Sequence, residues 1–464
     1  MNILHINSTQ SYGGAEMIMR TLMEKSRDRG HHTSCLVGRA HGAVDTTTSL
    51  FEHDRRRAGW TRFCYRLANM LWKWIGFHKH GRGVCRFIRS VLGEPLRTFR
   101  IQIGQEDFDF PDSVGAVERL EPKPDLLHFH GLHSSYFDLG ALQQLSAQWP
   151  VVITMHDAWL VTGHCAYPGG CARYEIGCGN CPDIERFPKL KRDGTRFNFE
   201  RKKKIYENSR IHVVTPSQWL MDIVQASDMS RSFSKLEVIH NGVDTKRFCP
   251  GERRVQRREL GMQDYDVVIL YNARNATTAV YKDFATARES VEQYAQVHQD
   301  QRVLLQVLGE ERDEEILENL TVRFELLEGG SNRLGAYYQA VDIFVHTSKC
   351  ENFPTVILEA MASGCPVVSS DTGGMREQIR ALEMESVAQK PGVTYFKQDQ
   401  ATGCLVSQEH IRETFEAINI LMGDHHLRER VGENARQWVE ECLSSDKMVD
   451  TYCQLYETLN ADSR

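Results

Sequence analysis

No run of about 18 apolar residues occurs in the chain, so nothing in it reads as a membrane-spanning helix. Nor is there a basic, then apolar, then small-residue leader; the opening residues MNILHIN read directly as a buried strand. An excess of positive charge is missing too. The 56 Lys and Arg are outnumbered by 62 Asp and Glu, giving a formal net charge of −6. That excludes a general drive toward nucleic acid and leaves any basic surface local. Disorder is excluded by an ordinary globular composition, 41% hydrophobic and 25% charged. What the chain has is length. Its 464 residues are too many for one core, since cores stop growing near ~250–300 residues, so two large domains are expected. Thirteen cysteines without an export signal point to a reducing compartment and mostly free thiols, hence a cytoplasmic protein.

Short β-branched runs recur at Asn2–Ile6, Ser34–Val37, Leu126–Phe129, Val151–Thr154 and Ile211–Val214. They recur again at Val267–Tyr271, Val303–Leu308, Asp342–His346 and Pro366–Ser370. Helix-length segments separate them, the pattern of an α/β protein with parallel sheets covered on both faces. The alternation appears twice, before and after a turn-rich, charged stretch at Val238–Arg254. We therefore expect two doubly wound domains facing across a cleft, spanning 1–240 and 241–447. Ligands in such sheets bind beyond the carboxyl ends of strands.

Residues 51–110 break the alternation with a basic, aromatic insertion. Within Trp60–Phe77, the residues Trp60, Phe63, Cys64, Leu67, Met70, Leu71, Trp74 and Ile75 follow helical spacing, with Arg62, Arg66, Asn69 and Lys73 opposite. Two readings stand: a helix packed on its domain by the apolar face, or one lying in a membrane interface, where tryptophan and basic residues are both favoured. The second makes 55–100 a peripheral membrane contact.

The stretch KCENFPTVILEAMASGCPVV sets Glu351 and Glu359 eight positions apart. Pro354 suits a first helical turn and Gly364 a helix stop, which puts Glu351 in a loop before the helix and Glu359 about two turns inside it. Backbone N–H groups at Asn352 and Phe353 would then face a ligand. At the other end of the chain Gly13 and Gly14 follow the first strand and permit close backbone approach to a phosphate or sugar.

With Gly13-Gly14-Ala15-Glu16, Asn241-Gly242-Val243-Asp244 and Gly373-Gly374, this stretch resembles the E-x7-E signature of retaining glycosyltransferases of the GT4 type, which have the GT-B fold. The resemblance implies a nucleotide-sugar donor (UDP- or GDP-linked) and a glycan or lipid-linked acceptor in envelope polysaccharide synthesis. It implies no catalytic metal or other cofactor. Glu351 is expected at the donor sugar with Asn352 and Phe353, and Glu359 at the ribose hydroxyls. Arg274 and Lys282, after the strand Val267–Tyr271, are expected on the diphosphate. Asp283 departs from the glycine usual after the lysine. His156 closes a strand where similar enzymes touch the transferring sugar, and Asp157 is placed to orient its ring. The tail, 448–464, is expected as a helix that crosses back to the first domain. A same-fold epimerase or phosphorylase, and a non-catalytic membrane-binding scaffold, are the rival readings.

Two clusters remain. His128 and His130 share a strand face and read as satisfied buried residues. Cys165, Cys171, Cys178 and Cys181 crowd one loop, the last two with C-x2-C spacing. A structural zinc, two disulfides or reduced packing thiols would each suit them, and a reducing compartment favours zinc over disulfides.

Overall fold

The computed structural model describes residues 1–10, 13–40, 47–76, 78–133, 135–327, 331, 333–387 and 389–462. Ser11 and Tyr12, beside the Gly13-Gly14 motif, and Phe77, at the end of the basic aromatic segment, lie outside the described residues. The chain forms two compact units. The first comprises Met1–Pro216, Leu220–Val238 and Tyr452–Arg464; the second comprises Ser217–Trp219 and Ile239–Thr451.

The strands of the first unit are β1 (Asn2–Thr9), β2 (His32–Arg39), β3 (Thr48–Leu50), β4 (Leu126–Phe129), β5 (Val151–Thr154), β6 (Ile211–Thr215) and β7 (Lys235–Val238). They form one parallel sheet in the order β3-β2-β1-β4-β5-β6-β7, the doubly wound arrangement. β4, β5 and β6 are buried along their whole length, which is why their sequences read as unbroken apolar runs.

The second unit holds β8 (Val267–Asn272), β9 (Val303–Leu308), β10 (Glu315–Leu317), β11 (Leu320–Glu325), β12 (Ile343–His346), β13 (Val367–Ser370), β14 (Ala381–Leu382), β15 (Tyr395–Phe396) and β16 (Gly403–Val406). Their order is β10-β11-β9-β8-β12-β13-β16-β14-β15. All pair in parallel except the β10–β11 edge hairpin. Val267, Ile269 and Tyr271 of β8 enter one hydrophobic layer and Val268 and Leu270 the other, the period-two alternation of a strand covered on both faces.

The insertion folds as helices Gly59–Ile75, Lys79–Phe87 and Pro95–Gln102, with a widened helical turn at Ile88–Leu92. Its packing overturns one expectation. The stripe buried by the first helix is Thr61, Cys64, Tyr65 and Ala68, whereas Trp60, Phe63, Met70, Trp72 and Trp74 are exposed, Trp74 at 78%. Small residues and the Tyr65 hydroxyl, which donates to Glu94 Oε2 (2.6 Å), let that face approach its neighbours, and the bulky aromatics are left outside.

The last helix runs Ser445–Asp462, and from Tyr452 onward it belongs to the first unit. There Tyr456 Oη is hydrogen-bonded to His128 Nδ1 (2.7 Å), and Thr154 Oγ1 to both His128 Nε2 and Tyr452 Oη (2.8 Å each). All four side chains are buried. Replacing Tyr456 by Phe leaves His128 Nδ1 without a partner in an apolar setting, at a cost of about 1–3 kcal/mol. The expected result is a lower urea midpoint with an unchanged slope; an unaltered midpoint would show that the bond adds nothing.

Candidate functional site

In the second unit β8, β9, β12 and β13 are parallel neighbours, so the loops that follow them emerge at one edge of the sheet. Two of these loops are stitched together by hydrogen bonds. Asp283 N donates to Thr347 O (3.2 Å) and Lys349 N to Tyr281 O (2.9 Å). The Thr347 hydroxyl donates to Asp283 O (2.5 Å) and that of Ser348 to Tyr281 O (2.7 Å). The stitching sets Lys282 Nζ against Glu351 Oε1 as an ion pair, with the two side chains 24% and 16% exposed. Burial pulls the Lys282 ammonium down to about 8, while the adjoining carboxylate favours its charged form. Asp283 caps the helix Phe284–Val297 by accepting from Thr286 N (3.5 Å), a task that glycine could not perform.

Gly373 and Gly374 support Glu351 from behind. Gly373 has φ +58°, and a Cβ there would collide with the Glu351 carbonyl. Gly374 N donates to Asn352 O (2.8 Å). Asn352 and Phe353 are buried. Asn352 Oδ1 accepts from Ser217 Oγ (2.5 Å), and Phe353 O accepts from Asn241 Nδ2 (3.2 Å). His240 stacks on the Phe353 ring with centroids 5.0 Å apart.

The helix Thr355–Ala362 has Pro354 as its N-cap, just outside the first turn. Glu359 is therefore its fifth residue, a little over one turn in and not two. Ala362 ends the helix and Gly364 takes the left-handed φ of +72° that a helix stop requires. Glu359 Oε2 accepts from Tyr338 Oη (3.1 Å), which in turn accepts from Asn272 Nδ2 (3.1 Å). Burial raises the Glu359 carboxyl to about 7, against the opposing pull of Tyr338 and Arg247. Arg274 lies on the same edge, exposed on the loop after β8, and makes no hydrogen bond or ion pair with another described residue. Lys282, Glu351, Asn352 and Phe353 are thus brought together, while Arg274 is near in topology but not joined to them.

The remaining site candidates belong to the first unit. Gly13 caps the helix Gly14–Asp28 with an extended backbone, φ −155°, open to any residue. A Cβ on Gly14 would meet nothing within 4 Å. His156 follows β5, with its Nε2 3.3 Å from His130 Nδ1; His130 Nε2 is 3.1 Å from His5 Nδ1. Burial holds His156 down to about 4 and His5 to about 3, so this row of rings is neutral at pH 7. The expected Asp157–His156 partnership is replaced. Asp157 Oδ2 pairs with His133 Nε2 (2.9 Å) and Oδ1 accepts from Trp159 N (2.8 Å), so its oxygens are directed to these two groups, while its charge still acts on the His156 ring.

Sequence reasoning missed Tyr338, Asn241 and His240. The Asn241–Asp244 motif was visible, but as a linker; the structure makes Asn241 a brace for the Phe353 carbonyl. It also missed a cavity of about 730 Å3 in the first unit, at the base of the insertion, whose walls include Arg39, Phe51, His53, Tyr65, Arg89 and Phe110. No local pattern marks this cavity, because its walls are far apart in the chain. No helix among the described residues is long and apolar enough to cross a membrane.

Residues 12–247 match the family described as Glycosyltransferase Family 4, and residues 252–438 match Glycosyl transferases group 1. A protein of Escherichia coli (strain K12) that carries the name colanic acid biosynthesis glycosyl transferase WcaC is 23% identical, over 84% of this chain and 88% of its own length. Among solved structures, sucrose-phosphate synthase from Thermosynechococcus elongatus aligns with a TM-score of 0.63 at 18% identity, covering both chains completely. Anabaena HepE in complex with UDP aligns with 0.58 at 16% identity, over 99% of this chain and 100% of that one. At these identities the structures show likeness of fold, the two Rossmann-like units of GT-B proteins.

Gly373→Ala tests the brace behind Glu351. It forces both a strained φ and a collision with the carbonyl, so displacement of the Glu351 loop is expected. The readout is amide hydrogen exchange, which should quicken around residues 349–353 while exchange in β8 and β9 stays slow. Unchanged exchange in the loop would show that the glycine is dispensable.

Proposed function

Because this chain belongs to Glycosyltransferase Family 4, we propose that it moves a hexose-type sugar, with retention, from a nucleoside diphosphate to a glycan or lipid-linked acceptor in envelope polysaccharide synthesis. The relative named for colanic acid biosynthesis, and a shorter match to an O-antigen chain mannosyltransferase, support the pathway. The observation that carries the reading is the Lys282–Glu351 pair beside Asn352 and Phe353, at the carboxyl ends of parallel strands.

In this reading Glu351 accepts hydrogen bonds from the donor sugar, with the Asn352 and Phe353 amides beside it. Glu359 accepts from the ribose hydroxyls, and Lys282 and Arg274 offset the charge that grows on the leaving diphosphate. The sugar–diphosphate bond breaks and the acceptor oxygen bonds the same face of the sugar carbon. The acceptor proton passes to a diphosphate oxygen, so neither a metal nor another cofactor has a step to perform. Gly13, Gly14 and the neutral His156 are read as further contacts to the sugar and phosphates. The 730 Å3 cavity takes the acceptor: its arginine–carboxylate pairs and aromatic faces suit a hydroxyl-rich ring.

In this reading the acceptor is met at a membrane surface, through the insertion. Between Gly59 and Gly93 there are seven Lys or Arg and no Asp or Glu, on helices that expose Trp60, Trp72, Trp74 and Phe87. Cations with exposed aromatics suit an anionic lipid interface.

Glu359→Ala should weaken nucleotide-sugar binding about tenfold or more, and Lys282→Ala should lower kcat, each with folding intact. Donor affinity should rise as Glu359 ionises near pH 7 and fall as Lys282 loses its proton near pH 8, a bell whose alkaline limb disappears in Lys282→Ala. Titration calorimetry against UDP- and GDP-sugars reads the binding; wild-type behaviour in both variants would end the assignment. For the membrane face, flotation with vesicles containing anionic phospholipid should capture the native chain and lose it when Arg62, Arg66 and Lys73 are neutralised. Failure of the native chain to float removes that part alone.

A further inference from the structure

A second site, independent of the transfer chemistry, sits in the first unit. Cys165, Cys171, Cys178 and Cys181 all line one small pocket, together with His164, Thr162 and Gly163. Its volume is about 20 Å3, room for a single ion or water. None of the four thiols is in a disulfide. From these positions we propose that the pocket holds one structural zinc ion on the four thiolates.

The surroundings suit that ion in three ways. First, Gly163 N donates to Cys178 Sγ (3.2 Å), the kind of bond that supports a ligating thiolate. Second, Cys178 and Asn180 both take left-handed backbone angles, φ 55° and 48°, with Gly177 and Gly179 between and before them, which curls the C-x2-C segment into a tight turn. Third, four thiolates around Zn2+ carry two net negative charges, and cations stand close. Arg173 lines the pocket; Lys202 Nζ, buried, donates to the Thr162 carbonyl at its wall (3.2 Å) but is already ion-paired with Glu106 Oε2 (2.8 Å).

His164 is the fifth donor at the pocket. Its Nδ1 is 2.9 Å from Pro188 O and its Nε2 3.4 Å from Cys181 Sγ. With Nδ1–H donating to a carbonyl, a neutral ring leaves Nε2 as an acceptor that can take only the Cys181 S–H, so this contact belongs to the metal-free chain and gives way when Cys181 binds the ion as a thiolate, leaving His164 as the alternative ligand. As they stand, the sulfurs are not gathered. The His, Cys, Asp and Glu groups with three or more ligand atoms within 4.8 Å among the described residues are His5–His128–His130 and His425–His426–Glu429. A tetrahedral zinc needs its sulfurs about 3.8 Å apart, given Zn–S bonds of ~2.3 Å, so side-chain rotation closes the site around the ion. The histidine group is the poorer candidate, because both ring nitrogens of His128 are already held by hydroxyls.

The test uses the full chain, purified under reducing conditions from zinc-supplemented medium. Elemental analysis should find one zinc per chain, and replacement by Co2+ should give thiolate charge-transfer absorption with the intense visible bands of a tetrahedral site. Cys178→Ser and Cys181→Ser should each cut zinc content about tenfold or more, and His164→Ala should keep one zinc. The cobalt spectrum of the native chain stands even if a cysteine variant fails to fold. Absence of zinc after reconstitution with zinc chloride, or disulfides among these cysteines in the intact mass, overturns the proposal. Loss of zinc in His164→Ala overturns the four-thiolate assignment.

Discussion

The second unit is organised around one costly arrangement, a lysine and a glutamate held together where water is scarce. Taking either charge out of water alone costs several kcal/mol, and the pair offsets this only if its geometry is held. Backbone bonds between the loops after β8 and β12 provide that hold, and Gly373 and Gly374 let a third loop close in behind. The parallel sheet comes first in this hierarchy. Only because β8, β12 and β13 run the same way do the three loops meet at one edge.

The two units use buried titratable groups differently. In the second, burial shifts Glu359 up and Lys282 down, toward each other and toward neutral pH. Groups shifted in this way change protonation readily when a charged or hydroxyl-rich ligand arrives. In the first unit, burial drives His5 and His156 far below neutrality, and their ring contacts hold them uncharged. A neutral row of imidazoles offers hydrogen bonds without adding charge.

The insertion shows how a helix's apolar residues can be right in kind and wrong in direction. Periodicity finds the helix but cannot tell which of two adjacent faces packs. The face that packs carries Thr61, Cys64, Tyr65 and Ala68, small or hydrogen-bonding residues that allow close approach. The tryptophans, which weigh most in any reading of hydrophobicity, stand outside. A small buried stripe and a large exposed one have the same period, and only the neighbouring chain distinguishes them.

By itself the sequence determined the α/β class, the strands buried on both faces, the Glu351–Glu359 stretch and Lys282, because each is written in contiguous residues with a local period or spacing. Strands as short as β14 and β15, and the edge hairpin β10–β11, carry too few residues for such a signal. Tertiary structure decided that Lys282 pairs with Glu351, that Tyr338 holds Glu359, that Asn241 braces Phe353 and that Asp157 turns to His133. These partners lie from 21 to 112 positions apart. Contacts over such separations depend on how strands are ordered and loops are closed, and no local pattern of residues encodes them.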